Sequence, residues 1–491
     1  MLNKTTKALI IIFCVGLVLR LVGITNAFPF IFHPDEPTII RSALGVRFNL
    51  NPGHFDWPHF YIYLNYFIYM VFAKLRDLLS ILNLKDVVYF TFPIIWDDKL
   101  IFYLITRIIT ALFGTLTIIP MYLTGKNLFN KKTGIFAAGA VAIVPLHIWY
   151  SHYALADIPM MFFASMAIYY CTKILFLKNT KNYLLAGFFI GLSATTKYNG
   201  VLVAIPLILA HILRVFSEKD EKFFRFEGIE NLIYAGISSM IAFIIGTPYA
   251  VLDFNTFIRT DGPKGALWQF TNVGSVGFLE RIKNFVNIIF IQFNENMGYS
   301  FLILFILAIL FVLIRVVKTH KIFEHKDLLF LIISTLVLVY YMCGVAKTRS
   351  HYFLVVYPLI ILAAVGFLET ILEFTKFKYS KILLAVVFIV PLYFAVRTSF
   401  IFYQEDTRVQ FYKWLSINIL KNTTIYYDSG DLNPLFEDNK YKSKKVNSDS
   451  IIPINSIFVI SDSVNNKFRL IKFFDNTLRK GPVINVYEVI K

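Results

Sequence analysis

Gly134–Trp149 reads GIFAAGAVAIVPLHIW, a run without Asp, Glu, Lys or Arg. Met160–Tyr170 and Ile382–Val396 are uncharged in the same way. A water-soluble core does not need such runs in series. A bilayer does, because about 20 apolar helical residues cross its hydrocarbon. The whole chain of 491 residues is 57% hydrophobic and 16% charged, against roughly half and a quarter in soluble domains. Working outward from Gly134–Trp149, eleven apolar segments read as spans: 8–25, 100–124, 134–150, 157–177, 183–197, 200–216, 231–251, 298–317, 328–345, 352–372 and 381–402. The expected fold class is an all-α polytopic membrane protein of about eleven transmembrane helices.

Alternate connections are basic. They carry Lys4 and Lys7; Lys126, Lys131 and Lys132; Lys173, Lys178 and Lys181; Arg214, Lys219, Lys222 and Arg225; Arg315, Lys318, Lys321 and Lys326; Lys376, Lys378 and Lys381. The other short connections carry few cations: none in Ser151–Asp157, Lys197, then Lys347 and Arg349. The positive-inside rule puts the first set in the cytoplasm. The expected protein is a multi-pass plasma-membrane protein with its N-terminus inside and its C-terminus outside. Phe60–Ala73 is apolar but short, and Lys74, Arg76 and Asp77 follow at once. It is expected to lie on the outer membrane surface rather than to span. The first run, Ala8–Val22, lacks a following A-x-A-like cleavage site and is read as a retained span.

Two long outer loops, roughly 26–99 and 252–297, and a tail complete the chain. The tail has a helical pattern at Val409–Leu420 and short strand-like runs at Thr424–Tyr427, Ile457–Ile460 and Val483–Val489. The expected organisation is a transmembrane body over 1–402 and a small extracytoplasmic α/β domain over 403–491. The net charge of +17 does not indicate nucleic acid here. The cations sit between apolar runs, as topology signals and contacts for anionic headgroups of membrane lipids. Cys14, Cys171 and Cys343 all lie in apolar runs, and neither a C-x-x-C, a P-loop nor a G-x-G-x-x-G occurs.

Candidate chemistry collects on the outer side. Phe32-His33-Pro34-Asp35-Glu36-Pro37 sets two carboxylates between prolines that restrict the backbone. Asp157 is the acid of the short connection Ser151–Pro159. An ionisable group at a membrane boundary is a functional candidate. Asp157 followed by Pro159 is also a good helix cap, and the two readings are compatible. Lys197, Lys347, Arg349 and His351 are outer cations or imidazoles, each able to snorkel to headgroups. Together they suit an anion such as a phosphate, since the topology rule gives no reason for cations there. Arg107 lies inside an apolar run. His33, His54, His59, His152 and His351 could ligate a divalent metal, but no H-x-x-H or H-E-x-x-H spacing supports one. No cofactor is therefore expected. Trp57 and its neighbours in Phe55–Phe60 offer packing for a sugar or a prenyl chain.

These residues resemble a known family. His33-Pro34-Asp35-Glu36, Phe55-Asp56-Trp57-Pro58, Arg107, Ser151–Pro159 with Asp157, Gly191–Tyr198 and His351–Pro358 follow the order seen in polyprenyl-phosphate-sugar-dependent glycosyltransferases. That group, glycosyltransferase family 39, includes protein O-mannosyltransferases and aminoarabinose transferases and has the GT-C fold. The likeness runs over about 1–370. It implies an active site at the outer membrane boundary, with Asp35 matching the first-loop catalytic acid and Asp157 the second acidic position. Some relatives carry a Lys just before the proline of the first-loop helix, where Trp57 stands here. The donor phosphate must then meet other residues, such as Lys197 or Arg349.

The resemblance implies an inverting transferase. Its donor would be a sugar on a polyprenyl phosphate, and its acceptor a hydroxyl on a glycan, lipid or protein. Asp35 is the expected base, with Glu36 or Asp157 orienting the acceptor or stabilising developing positive charge. Lys197, Arg349 and His351 would stabilise the leaving phosphate. His33, Trp57, His59, Arg107, His152 and Tyr198 complete the expected substrate-binding set. The competing reading is a transporter or lipid-linked sugar flippase. It fits less well, because the notable acids lie at one membrane edge rather than the midplane.

Overall fold

Each of the eleven apolar segments folds as helix, because hydrocarbon leaves the backbone no partner but itself. The computed structural model describes every residue except 1–2, 218–228, 347–348, 376–378, 421–422, 438–439, 447–451, 454–455, 462–467 and 490–491. Lys219, Lys222, Arg225, Lys347, Lys376 and Lys378 therefore lie outside the described residues. Among the described residues, six helices are long and apolar enough to cross a membrane. A bent pair, Lys131–Ala142 with Pro145–Ser151, makes a seventh if taken as one span. Others fall short of that test through length or charge. Thr180–Thr196 and Lys326–Met342 have 17 residues each, and Lys4–Leu21 carries Lys4, Lys7 and Arg20.

Local chemistry sets where the helices start and bend. Asn3, Asn130 and Asn179 cap their helices by accepting main-chain N–H bonds at 2.8–2.9 Å from Thr6, Lys132 and Lys181. All three caps lie at Lys-rich ends. Pro145 opens Pro145–Ser151 at a 56° bend from the preceding helix. The carbonyls freed there are taken by the buried guanidinium of Arg20. It donates to Gly16 O at 2.8 Å, Ala142 O at 3.0 Å and Val141 O at 3.1 Å, and also lies 2.8 Å from His147 Nδ1.

Small residues bring backbones together. A Cβ on Gly187 would stand 2.0 Å from Ala235 O, and one on Gly191 would stand 2.2 Å from Ser239 O. Thr180–Thr196 thus packs directly on Ile229–Gly246, in the small-residue manner of membrane helices. This contact fixes the helix that ends at Lys197. Tyr357–Thr375 runs through the centre, buried from Tyr357 through Glu369. Lys132 Nζ reaches Glu369 at 3.0 Å at the Lys-rich end.

Phe60–Ile81 continues as helix past Lys74, Arg76 and Asp77. One face buries Tyr61, Ile62, Asn65 and Tyr69, and the other exposes Phe67, Met70, Val71, Leu75 and Leu78. It is not among the helices long and apolar enough to cross.

The tail helix Thr407–Asn418 follows Ser380–Tyr403 after a short turn. It packs on a sheet of β1 (Thr424–Tyr427), β2 (Lys442–Lys445), β3 (Ile457–Ser461), β4 (Arg469–Phe474) and β5 (Ile484–Glu488), ordered β2-β1-β3-β5-β4. β1 is parallel to β2 and β3, whereas β5 is antiparallel to β3 and β4. The inner strands match the sequence pattern. The edge strands β2 and β4 did not announce themselves, because both are largely exposed and carry lysines. Phe411, Leu415, Val459 and Val486 form the tail core, and Phe30 and Phe32 of the first loop pack against it.

Candidate active site

The first loop and the Ser151–Asp157 connection meet at one cavity of about 530 Å³, within the roughly 300–1,000 Å³ of small-ligand sites. His33, Pro34, Asp35, Tyr150, Leu155, Asp157, Gln292, Asn296, Arg349, Ser350 and His351 line it. Asp35 precedes the helix Glu36–Gly45, whose Pro37 needs no N–H partner. Its side chain makes no capping bond, which leaves the carboxylate for the cavity. The Asp35 N–H donates to His33 Nδ1 at 3.3 Å, fixing the pair. Burial pulls His33 below its ordinary range, partly offset by Glu36 and Asp35.

Asp157 is the first residue of Asp157–Ile174, and Ala156 occupies the cap position. The capping reading is thereby corrected: Lys197 takes the carboxylate instead, with Nζ donating to Oδ1 at 2.6 Å. The Asp157 carboxylate is buried and the Lys197 side chain is partly so, and in low dielectric such a pair must stay together. The ammonium also lies 5.5 Å from the Trp57 ring and 5.4 Å from the Tyr352 ring. Tyr150 Oη and His351 Nδ1 are hydrogen-bonded at 3.0 Å, and Arg349 reaches the same cavity.

Glu36 and Arg107 form a second buried pair. Arg107 Nε donates to Oε1 at 2.7 Å and Nη2 to Oε2 at 2.8 Å, a bidentate fork. Arg107 Nη1 also donates to Ile24 O at 3.0 Å and Asn26 O at 3.1 Å. The Ala154 N–H donates to Glu36 Oε1 at 2.9 Å, tying the first loop to the connection that bears Asp157. Burial alone would raise the Glu36 carboxyl, but the Arg107 guanidinium outweighs it and holds it below the usual carboxylate range. This pair lines a smaller cavity of about 160 Å³ with His33, His152, Arg408 and Lys480.

The remaining expected residues are placed as supports. His152 lies between Ile148 O at 2.8 Å and Val22 O at 2.9 Å and stacks on Phe402. His59 sits against His54 O at 2.9 Å and stacks on Phe55, and burial pushes it down to about 4. Tyr198 donates to Phe55 O at 2.7 Å. Of the expected set, His33, Asp35, Asp157, Arg349 and His351 share the large cavity. Lys197 and Trp57 stand behind Asp157, whereas Glu36, Arg107, His152, His59 and Tyr198 do not line it. Sequence reasoning missed Tyr150, Gln292 and Asn296. The signal for the last two is a polar cluster, Gln292 with Asn294-Glu295-Asn296, closing the apolar run that opens at Ile288 as a π-helix. Among the described residues no three His, Cys, Asp or Glu side chains converge to hold a metal.

Comparison with known proteins agrees with this architecture. Residues 104–246 match the family model of dolichyl-phosphate-mannose-protein mannosyltransferase. Over 155 residues the chain is 26% identical to dolichyl-phosphate-mannose–protein mannosyltransferase 1 of Saccharomyces cerevisiae, a match covering 30% of this chain and 18% of the yeast protein. ArnT from Cupriavidus metallidurans in the apo state superposes with TM-score 0.52 at 11% identity, covering 99% of this chain and 98% of ArnT. ArnT bound to undecaprenyl phosphate superposes with TM-score 0.50 at 12% identity, covering 98% and 97%. The oligosaccharyltransferase AglB from Archaeoglobus fulgidus, in complex with an inhibitory peptide and a dolichol-phosphate, gives TM-score 0.51 at 13% identity. That match covers 89% of this chain and 64% of AglB. The chain thus matches under a fifth of the yeast protein and under two thirds of AglB, and its likeness to the solved structures is one of fold. The resemblance read from the motifs is borne out.

Proposed function

We propose, from the premise that residues 104–246 carry the protein-mannosyltransferase family segment, that this chain is an inverting membrane glycosyltransferase. It moves a sugar from a polyprenyl-phosphate donor to an acceptor hydroxyl on the extracytoplasmic face. One observation carries the reading: Asp35 and the Asp157–Lys197 pair meet at a single cavity. That cavity lies at the helix ends opposite the lysines. Asp157–Ile174 runs from Asp157 to Lys173 in its last turn, and Thr180–Thr196 runs from Lys181 towards Lys197. The positive-inside rule then puts the cavity outside, with the body 1–402 spanning about eleven times and the domain 403–491 on the outer face. Phe60–Ile81, with one apolar face exposed, lies along the outer surface.

In this mechanism the acceptor hydroxyl attacks the anomeric carbon opposite the leaving phosphate. Asp35 takes the hydroxyl proton as the C–O bond to phosphate breaks. Arg349 is the leading phosphate partner. The Lys197 charge is already balanced by Asp157, whereas Arg349 brings a forked cation with no ion-pair partner among the described residues. His351, held by Tyr150, and Lys197 complete the anion-stabilising wall. Glu36 and Arg107 hold the first loop in place. The lipid tail enters the bilayer between helices. Two structural neighbours support a polyprenyl-phosphate donor: ArnT binds undecaprenyl phosphate and AglB a dolichol-phosphate. The acceptor is a glycan, lipid or protein hydroxyl.

The test is sugar transfer from a polyprenyl-phosphate sugar by purified protein in detergent. Wild type transfers, and Asp35→Asn loses about 100-fold or more in kcat, the scale of a missing general base, with folding checked by thermal unfolding. Full activity of Asp35→Asn removes the base assignment. Activity that requires a sealed vesicle favours the transporter reading.

A further inference from the structure

The tail domain touches both acid-bearing loops through a cation. Arg408 Cζ lies 3.6 Å from the Phe32 ring centroid, three residues before Asp35. Lys480 donates to Tyr153 Oη and sits within 4.1–5.5 Å of the Tyr153, Phe402 and Trp149 ring centroids. Tyr153 lies four residues before Asp157. The two cations are built into one unit. Asp406 holds Arg408 by a fork at 2.7 and 2.8 Å. The Thr407 N–H donates to Lys480 O at 3.0 Å, and Thr407 Oγ1 donates to Pro482 O at 2.8 Å. Gly481 between them has φ +93°, and a Cβ there would stand 2.2 Å from Thr407 Oγ1. Only glycine allows this approach.

The contacts continue inward. The Tyr153 ring packs on His33 at 4.7 Å, and His33 accepts the Asp35 N–H. Ala154, next to Tyr153, donates to Glu36. We propose that the C-terminal domain is a clamp on the cavity, with Lys480 and Arg408 as positioning residues that hold the loops of Asp157 and Asp35 in register. Neither residue lines the large cavity, so their action is through Tyr153 and Phe32. Burial among the rings pushes the Lys480 amine down to about 7. Its hydrogen bond to Tyr153 holds in either protonation state, whereas its contacts with the rings need the charge.

The effect on catalysis rests on the glycosyltransferase reading, but the grip itself does not. The full-length chain in detergent is compared as wild type, Lys480→Met, Lys480→Arg and Arg408→Met, by hydrogen exchange and by transfer kinetics. Both Met variants are expected to speed exchange of 31–36 and 152–157 about tenfold, the scale of one lost buried contact of this kind. The sheet strands β1 and β3 stay protected. In the same variants kcat falls about tenfold with donor KM within twofold, and Lys480→Arg recovers most of it. Unchanged exchange in both loops overturns the clamp. So does loosening spread evenly over the sheet without rescue by Arg, since that marks a merely structural lysine. If wild type transfers no sugar, the enzymatic reading fails, and the exchange arm still decides the grip.

Discussion

Lys197 ends one helix, Asp157 begins another, and their 2.6 Å contact closes the back of the cavity. Removing one member of a buried pair leaves an uncompensated charge and costs about 3–5 kcal/mol. Lys197→Met is therefore expected to lower stability by that order, read as denaturant or thermal unfolding in detergent. The double variant Asp157→Asn with Lys197→Met should regain much of the loss, because no lone charge then remains. A single variant as stable as wild type would mean that the carboxylate finds other compensation. Both residues stood out in the sequence as polar groups at span ends. Their pairing did not, because nothing in a separation of 40 residues specifies contact. Gln292 and Asn296 were less legible still, since a short polar cluster at the end of an apolar run carries no periodic signal.

At the level of elements, Glu36 joins three pieces of chain: its own helix, the span bearing Arg107, and the Ser151–Asp157 connection through Ala154. Its folded-state carboxyl sits below the ordinary value. The stability it adds is therefore present above the unfolded value, about 4.3, and is lost as pH falls through the folded one. The stability gap between wild type and Glu36→Gln should stay constant from neutral pH to about 5 and shrink below that. Thermal unfolding across that range checks it, and a gap that widens in acid contradicts the sign. The helices themselves were readable from uncharged runs, and the first-loop prolines marked the carboxylate motif. The bend at Pro145 and the glycine contact between Thr180–Thr196 and Ile229–Gly246 were not. Both depend on which neighbour arrives, which a single chain pattern does not encode. The edge strands escaped for the opposite reason, being too polar to show a buried face.

Across the whole molecule, one polarity organises everything. The lysine-rich helix connections and the asparagine caps gather at one end of the helices, and the cavity and tail sheet lie at the other. This predicts a labelling pattern. A cysteine introduced at exposed Ser443 should react with a membrane-impermeant maleimide in intact cells. One at exposed Lys131 should react only after permeabilisation. The reverse pattern would put the cavity in the cytosol and end the proposed donor chemistry. The first helix has a further consequence. Its guanidinium at Arg20 satisfies carbonyls more than a hundred residues away, at Val141 and Ala142. In lipid those oxygens find no water to replace it. The bent pair is therefore held to the helix Lys4–Leu21 by Arg20, and a change at that guanidinium is felt where the chain continues to Tyr150.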